Sequence, residues 1–316
     1  MARSMKKISV VITLYNEAAH LRSTLDIICG HLASLPLDYE LILVDDGSTD
    51  PTWQEILAFW KGNLSVVALR LSRRFGKELA LCAGLERARG DAVVVMDGDL
   101  QHPPELIAEM VKGWQEGYDV VEAVKAKGKG TPVVAAARAR LFYSLFRRMS
   151  GIDLAGASDF KLLDRKVLEA WTEMPERNVF FRGMSAWLGF RRKQIPMVVE
   201  KRVRGKSRWS TTGLLRLAIT GITSFSSLPI HIITALGAIF LVFALLFGLY
   251  ALVLKVRGAA LSGFTTVIIL QLLIGSMLVT ALGIIGQYIS KIYDEVKRRP
   301  RFIVSDTLPP RLPSAG

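Results

Sequence analysis

An apolar run goes straight into acid at Val93-Val94-Val95-Met96-Asp97-Gly98-Asp99-Leu100-Gln101. Two carboxylates spaced i, i+2 at a strand's end can aim oxygen ligands at one divalent cation. Hard oxygen donors favour Mg2+ or Mn2+, which keep positions open for phosphate oxygens. A solvated acidic turn also fits the bare Asp-x-Asp spacing, and only its context favours the metal. His102 is either a further ligand or a capping or exposed residue. A second apolar run, Leu41-Ile42-Leu43-Val44, ends in Asp45-Asp46-Gly47-Ser48-Thr49-Asp50. Carboxylates there can accept hydrogen bonds from a base edge or from ribose hydroxyls. Turn chemistry and helix capping account for Ser48 to Asp50. Asp45 and Asp46 resist that explanation, because two adjacent strand-end charges repel.

These acidic ends need a scaffold, and the first third of the chain supplies one. Strands are expected at Ile8–Thr13, Glu40–Val44, Ser65–Leu69, Ala92–Met96 and Asp119–Val124. Between them lie helical stretches at Glu17–Leu35, Pro51–Trp60, Lys77–Arg89 and Pro104–Glu116, two of them opened by proline. Such alternation predicts an α/β fold with a mostly parallel sheet covered on both faces. Ligands of such sheets sit beyond the carboxyl ends of the strands, where the acidic motifs fall.

The remainder is built for another environment. Of 316 residues, 51% are hydrophobic, the mean hydropathy is +0.33, and the apolar excess collects after Leu228. Ile232 to Leu254 carries no charge, and neither does the stretch from after Arg257 to Ser290; both suffice to span a bilayer. Basic residues crowd Arg191 to Arg216 and Lys291 to Arg301, while the loop between the spans carries only Lys255 and Arg257. Positive-inside bias places both flanks in the cytoplasm and the loop outside. The net charge of +13 therefore points to an anionic membrane surface. No nucleic-acid-binding signature accompanies it, so nucleic acid is not expected as a partner. Lys125 to Pro132 reads as a loop. Arg138 to Met149 reads as a basic amphipathic helix, either interfacial or core-facing. Cys29 and Cys82 suit a reduced core rather than a disulfide framework. The apolar run Ile8 to Leu14 is too short to span and reads as a strand, not a signal peptide. From Leu308 the Pro-rich tail is expected to be disordered.

Several motifs together carry a family resemblance. They are Thr13-Leu14-Tyr15-Asn16-Glu17, the Val44-to-Asp50 run, Arg74-Phe75-Gly76-Lys77-Glu78 and Asp97-Gly98-Asp99-Leu100-Gln101-His102-Pro103-Pro104. Further along come Ser158-Asp159-Phe160-Lys161-Leu162, Phe181-Arg182-Gly183, Arg204-Gly205-Lys206-Ser207-Arg208-Trp209 and Tyr288 to Glu295. In this order, and with the terminal hairpin, they resemble family 2 glycosyltransferases. More narrowly, they resemble the polyprenyl-phosphate group, which includes dolichol-phosphate mannose synthases and bacterial undecaprenyl-phosphate glucosyltransferases. The resemblance implies a GT-A nucleotide-sugar fold, a divalent metal and inversion at the anomeric carbon. It further implies that Tyr15, Asn16, Glu17, Asp45, Asp46, Lys77, Asp97 and Asp99 bind the nucleotide sugar, with Asp46 on base or ribose. Asp97, Asp99 and Gln101 would hold the metal and diphosphate. Asp159 stands at the catalytic carboxylate position, and Arg138, Arg140, Arg202 and Lys206 would hold the acceptor phosphate. Two departures stand out: Thr13-Leu14 replaces the usual Pro-Val, and the 126–134 loop lacks the usual acidic and aromatic residues.

The expected organisation is a cytosolic GT-A domain over 1–210 and juxtamembrane interfacial helices over 211–228. Membrane helices over 229–254 and 264–288 flank an external loop over 255–263. A cytosolic helix and tail occupy 289–316. Gly237, Gly248, Gly275 and Gly283 permit close helix packing, and a homo-oligomer, with a tetramer as working choice, is expected. The implied reaction transfers a hexose from a nucleotide diphosphate sugar, first choice UDP-glucose, to polyprenyl phosphate at the cytoplasmic face of the inner membrane. Mannose, galactose and a modified aminoarabinose are the alternative sugars. A processive polysaccharide synthase would carry Gln-x-x-Arg-Trp, but Gly205 stands where its glutamine would be. An inactive nucleotide-sugar-binding scaffold is the rival from another class, disfavoured by the intact acidic motifs.

Overall fold

A computed structural model describes residues 6–125, 144, 147–148, 151, 158–174, 176–177, 179–197, 228–257 and 263–310. The chain divides into two compact units, one of residues 1–210 with 300–316 and one of residues 211–299. The first is built on an eight-stranded sheet. Its parallel centre is β1 (Lys7–Leu14), β2 (Asp38–Asp45), β3 (Val66–Leu71) and β4 (Ala92–Asp97). These strands read as unbroken apolar runs because both faces are covered, and nearly every side chain in them is buried. α1 (Leu21–Ala33), α2 (Thr52–Gly62), α3 (Lys77–Leu85) and α4 (Leu106–Gln115) follow the strands in turn. The expected strands and helices in this region are all present, with shifted ends.

Beyond β4 the sheet changes direction. β5 (Val120–Lys125) is followed by β6 (Lys161–Asp164), α5 (Arg165–Thr172), α6 (Phe181–Trp187) and β7 (Arg192–Met197). β8 (Val304–Leu308) closes the far edge, giving the order β7-β5-β6-β4-β1-β2-β3-β8. β6 runs antiparallel between β4 and β5, β7 runs parallel to β5, and β8 runs antiparallel to β3. The expected mostly parallel sheet is therefore present, with antiparallel insertions. The tail does not lose its structure at Leu308. Leu308 pairs with Ala68, and the next carbonyl, of Pro309, accepts the Trp60 indole N–H at 2.9 Å. Capping the open edge of β3 accounts for this order, since an unpaired edge leaves backbone groups unsatisfied.

The order places β1 between β2 and β4, so the chain reverses direction across the sheet between β1 and β4. That gap at the carboxyl ends is where such sheets take ligands. Two turns flank it, and one depends on Gly47. Its φ is +66°, and a Cβ there would stand 2.4 Å from the Arg73 carbonyl carbon. Gly47→Ala should therefore destabilise the protein by at least about 2 kcal/mol, from left-handed strain and backbone overlap together. A lowered unfolding midpoint of the full-length protein in detergent checks this. An unchanged midpoint would show that the 73–74 backbone can give way.

The second unit contains α7 (Leu228–Val256) and α8 (Phe264–Val296). Their segments Ile230–Ala251 and Leu270–Val296 are long and apolar enough to cross a membrane. The positions expected as a separate helix after 288 continue α8 unbroken to Val296. Lys125, expected to open a loop, ends β5; the rest of that loop at 126–132, most of the amphipathic helix at 138–149, the interfacial segment at 211–227 and loop residues 258–262 lie outside the described residues. So do residues 311–316.

Candidate active site

A cleft of about 190 Å3 opens at the carboxyl ends of β1 and β4. It is lined by Thr13, Leu14, Tyr15, Glu17, Asp46, Arg74, Lys77, Asp97, Gly98 and Asp99. The structure thus brings six of the expected binding residues to one place: Tyr15, Glu17, Asp46, Lys77, Asp97 and Asp99. Arg74, to which no role was given from sequence, joins them with its guanidinium 4.3 Å from the centre of the Tyr15 ring.

Lys77 ties the cleft to the expected catalytic carboxylate. Its ammonium lies 2.7 Å from Asp97 Oδ1 and donates to Asp159 Oδ2 at 2.7 Å. Arg182 grips Asp159 from the other side, Nε to Oδ1 at 2.7 Å and Nη2 to Oδ2 at 2.8 Å. Burial alone would raise the Asp159 pKa, but Lys77 and Arg182 hold its carboxyl far below the usual carboxylate range. Burial would likewise depress Lys77, yet Asp97 and Asp159 hold it above the ordinary lysine value. Asp159 is thus a fixed anion that organises two cations. The support beneath it is also ionic. Glu122 accepts the Ser158 N–H at 2.9 Å and lies 3.0 Å from the Lys161 ammonium, with both side chains buried. Burial lowers the Lys161 pKa against the pull of Glu122 and Asp159.

Other expected site residues serve the turns around the cleft. Asn16, at φ +55°, uses its Oδ1 to accept the Thr49 N–H at 2.9 Å, stapling the end of β1 to the turn after β2. Asp45 is fully buried; its Oδ1 accepts the Ser48 N–H at 3.0 Å, while Oδ2 lies 3.4 Å from Arg70 Nε. Neither is among the residues that line the cleft, and both side chains bond to the turn after β2. Asp46 does line it, but its carboxylate accepts the Phe75 N–H at 2.7 Å and the Gly76 N–H at 2.9 Å. That holds the 74–76 loop, and with it Arg74 and Lys77, against the turn at Gly47. The repulsion expected between the adjacent acids is relieved because each faces a different set of donors, and burial pushes both carboxyls up.

Gln101 is not among the cleft-lining residues; its N–H donates to Asp99 Oδ1 at 3.1 Å, and its buried side-chain Nε2 has no partner among the described residues. His102 is neither exposed nor a helix cap. Its Nδ1 accepts the Asp97 N–H at 3.0 Å and its ring stacks on Phe160 at 5.0 Å. Burial lowers its pKa, so it stays neutral and braces the β4 end. Among the described residues no three His, Cys, Asp or Glu side chains converge as a metal cage. Two carboxylates open to a cleft nonetheless suit Mg2+ or Mn2+, which take few protein ligands and leave positions for phosphate and water. That Asp97 already holds the Lys77 ammonium shows that a cation is accepted there. Arg138, Arg140, Arg202 and Lys206 lie outside the described residues.

Phe181-Arg182-Gly183 stood among the motifs of the resemblance, but nothing local gave Arg182 a partner. It lies 23 residues after Asp159, and Lys77 lies 82 residues before it, so only the fold unites the three.

The family described as glycosyl transferase family 2 matches residues 9–171, more than half of the chain. An uncharacterized glycosyltransferase, sll0501, from Synechocystis is 37% identical over 95% of both chains. The SfII prophage-derived bactoprenol glucosyl transferase of Shigella flexneri is 34% identical over 94% of this chain and 97% of that one. Among solved structures, mannosyl-3-phosphoglycerate synthase from Rubrobacter xylanophilus is similar at 20% identity and a TM-score of 0.49. That similarity spans 68% of this chain and 71% of that one. The chain belongs to glycosyl transferase family 2.

Proposed function

We propose that this glycosyltransferase moves a hexose, first choice glucose from UDP-glucose, to a polyprenyl phosphate with inversion at the cytoplasmic membrane face. The observation that carries the proposal is full-length similarity to the Shigella bactoprenol glucosyl transferase, which extends through the two apolar helices as well as the cleft. Both substrates are anions, and the cleft offers cations at Arg74 and Lys77 to bring them together, with Arg182 behind them on Asp159. An acceptor phosphate oxygen attacks C1 of the sugar as the bond from C1 to the diphosphate oxygen breaks. The nucleoside diphosphate leaves, and the acceptor dianion becomes a monoanionic diester, so no proton need move. Asp97 and Asp99 would hold Mg2+ or Mn2+, with Gln101 the third expected ligand; that ion would neutralise the departing diphosphate. Arg138, Arg140, Arg202 and Lys206 remain proposed for the acceptor phosphate, and a homo-oligomer remains proposed for the assembly.

Membranes containing the protein, given polyprenyl phosphate and a panel of labelled nucleotide sugars, should transfer label to lipid from UDP-glucose above all others. Preferred transfer from another nucleotide sugar would overturn the choice of glucose. Topology has its own test. In a variant lacking Cys29 and Cys82, a cysteine at position 262 should react with an impermeant maleimide outside intact cells. One replacing Ser305, exposed on β8, should not. The reverse pattern would remove the catalytic unit from the cytoplasm.

A further inference from the structure

The cleft chemistry leaves Glu78 unused, although it interacts with Lys77, Asp159 and Arg182. Glu78 sits in the first turn of α3, beside Lys77, and its Oε2 accepts the Phe181 N–H at 2.9 Å. Phe181 opens α6, and the next residue is Arg182, whose fork grips Asp159. α6 has seven residues, too few to be stable on its own, so tertiary bonds must fix its place. One set lies beneath it. Lys161 donates to Ser185 Oγ at 2.9 Å, and that hydroxyl donates to the Arg182 carbonyl at 3.2 Å. The other is the Glu78 bond, which takes an N–H that has no partner inside the helix.

We propose that Glu78 is a positioning residue: by holding the Phe181 N–H it sets the Arg182 fork on Asp159 and locks it in register with Lys77. This rests on the cleft being the transferase site. Burial pushes Glu78 up to about 7, with Asp159 adding to the rise and the Phe181 N–H, Lys77 and Arg182 opposing it. Carboxyl and carboxylate alike present an acceptor oxygen, so what the position requires is an acceptor at that reach and not a charge. Glutamine meets that requirement and alanine does not.

The test uses the full-length protein in membranes, with UDP-glucose and polyprenyl phosphate as substrates. Glu78→Ala should lower kcat about 10- to 100-fold, the scale of a misplaced catalytic group, with donor KM within about twofold. Glu78→Gln should recover to within about threefold of wild type. In an Arg182→Ala background, Glu78→Ala should add less than about twofold, because it acts through Arg182. Equal losses in the Ala and Gln variants would overturn the proposal, as would a fully additive double variant. Where Glu78→Ala fails to accumulate, Glu78→Asp decides, since its shortened acceptor should show the same kcat loss and wild-type activity would overturn the role. Wild-type Glu78→Ala beside a crippled Arg182→Ala removes only the positioning role. An unimpaired Arg182→Ala removes the cleft assignment with it.

Discussion

Asp159→Asn should cost about 10²- to 10³-fold in kcat while nucleotide affinity stays within about twofold, and raising the pH from 6 to 9 should not restore it. In sugar transfer to a hydroxyl, a carboxylate must take a proton as the bond forms. A phosphate monoester has its second pKa near about 6 and is already largely a dianion at neutral pH. The structure adds a stronger reason. With both oxygens bonded to Arg182 and one also to Lys77, Asp159 is held far below the carboxylate range and is a very weak base. Asparagine would set an amide N–H2 against one of two donors, take from Arg182 the carboxylate it grips and leave Lys77 with Asp97. Both would shift, while the nucleotide end of the cleft near Tyr15 and Glu17 would be untouched. Single-turnover rates across that pH range, with nucleotide binding measured separately, check the prediction. Near-wild-type rates at high pH would instead make Asp159 the proton acceptor.

Removing the acidic pair at the end of β4 should be as damaging for a different reason. Asp99→Ala should abolish detectable transfer, a loss of at least about 10³-fold, and EDTA should do the same to the wild type reversibly. Because Asp99 also accepts the Gln101 N–H, alanine alone would confound charge with turn geometry. Asp99→Asn keeps that acceptor and removes the charge, so it should be nearly as inactive. Mn2+ binding followed by electron paramagnetic resonance should weaken in both variants. Full activity in EDTA would contradict the metal assignment.

How far the sequence foretold this site follows from the range of each interaction. β1 to β4 were legible because strands buried on both faces must be apolar throughout, and their ends coincide with acid. β7 and β8 were not. Arg192–Met197 alternates exposed and buried positions around a proline that only an edge strand tolerates, and Val304–Leu308 is mostly polar and held by pairing with β3. At the site, Asp97, Asp99 and Asp159 could be read from local pattern or resemblance. Asn16 and Asp45 carry the same chemical groups as ligands, yet the fold turns them onto backbone amides. Arg182, Glu78 and the Glu122–Lys161 pair gain their roles only from contacts across long stretches of chain.

The most direct measurement of the central claim is the 31P spectrum of the lipid product made from UDP-glucose and undecaprenyl phosphate. Transfer of the sugar alone to the acceptor phosphate predicts a single phosphodiester resonance, with the sugar C1 configuration inverted from the donor. A diphosphate pair of resonances, a retained anomeric configuration, or no lipid-linked sugar at all would contradict it.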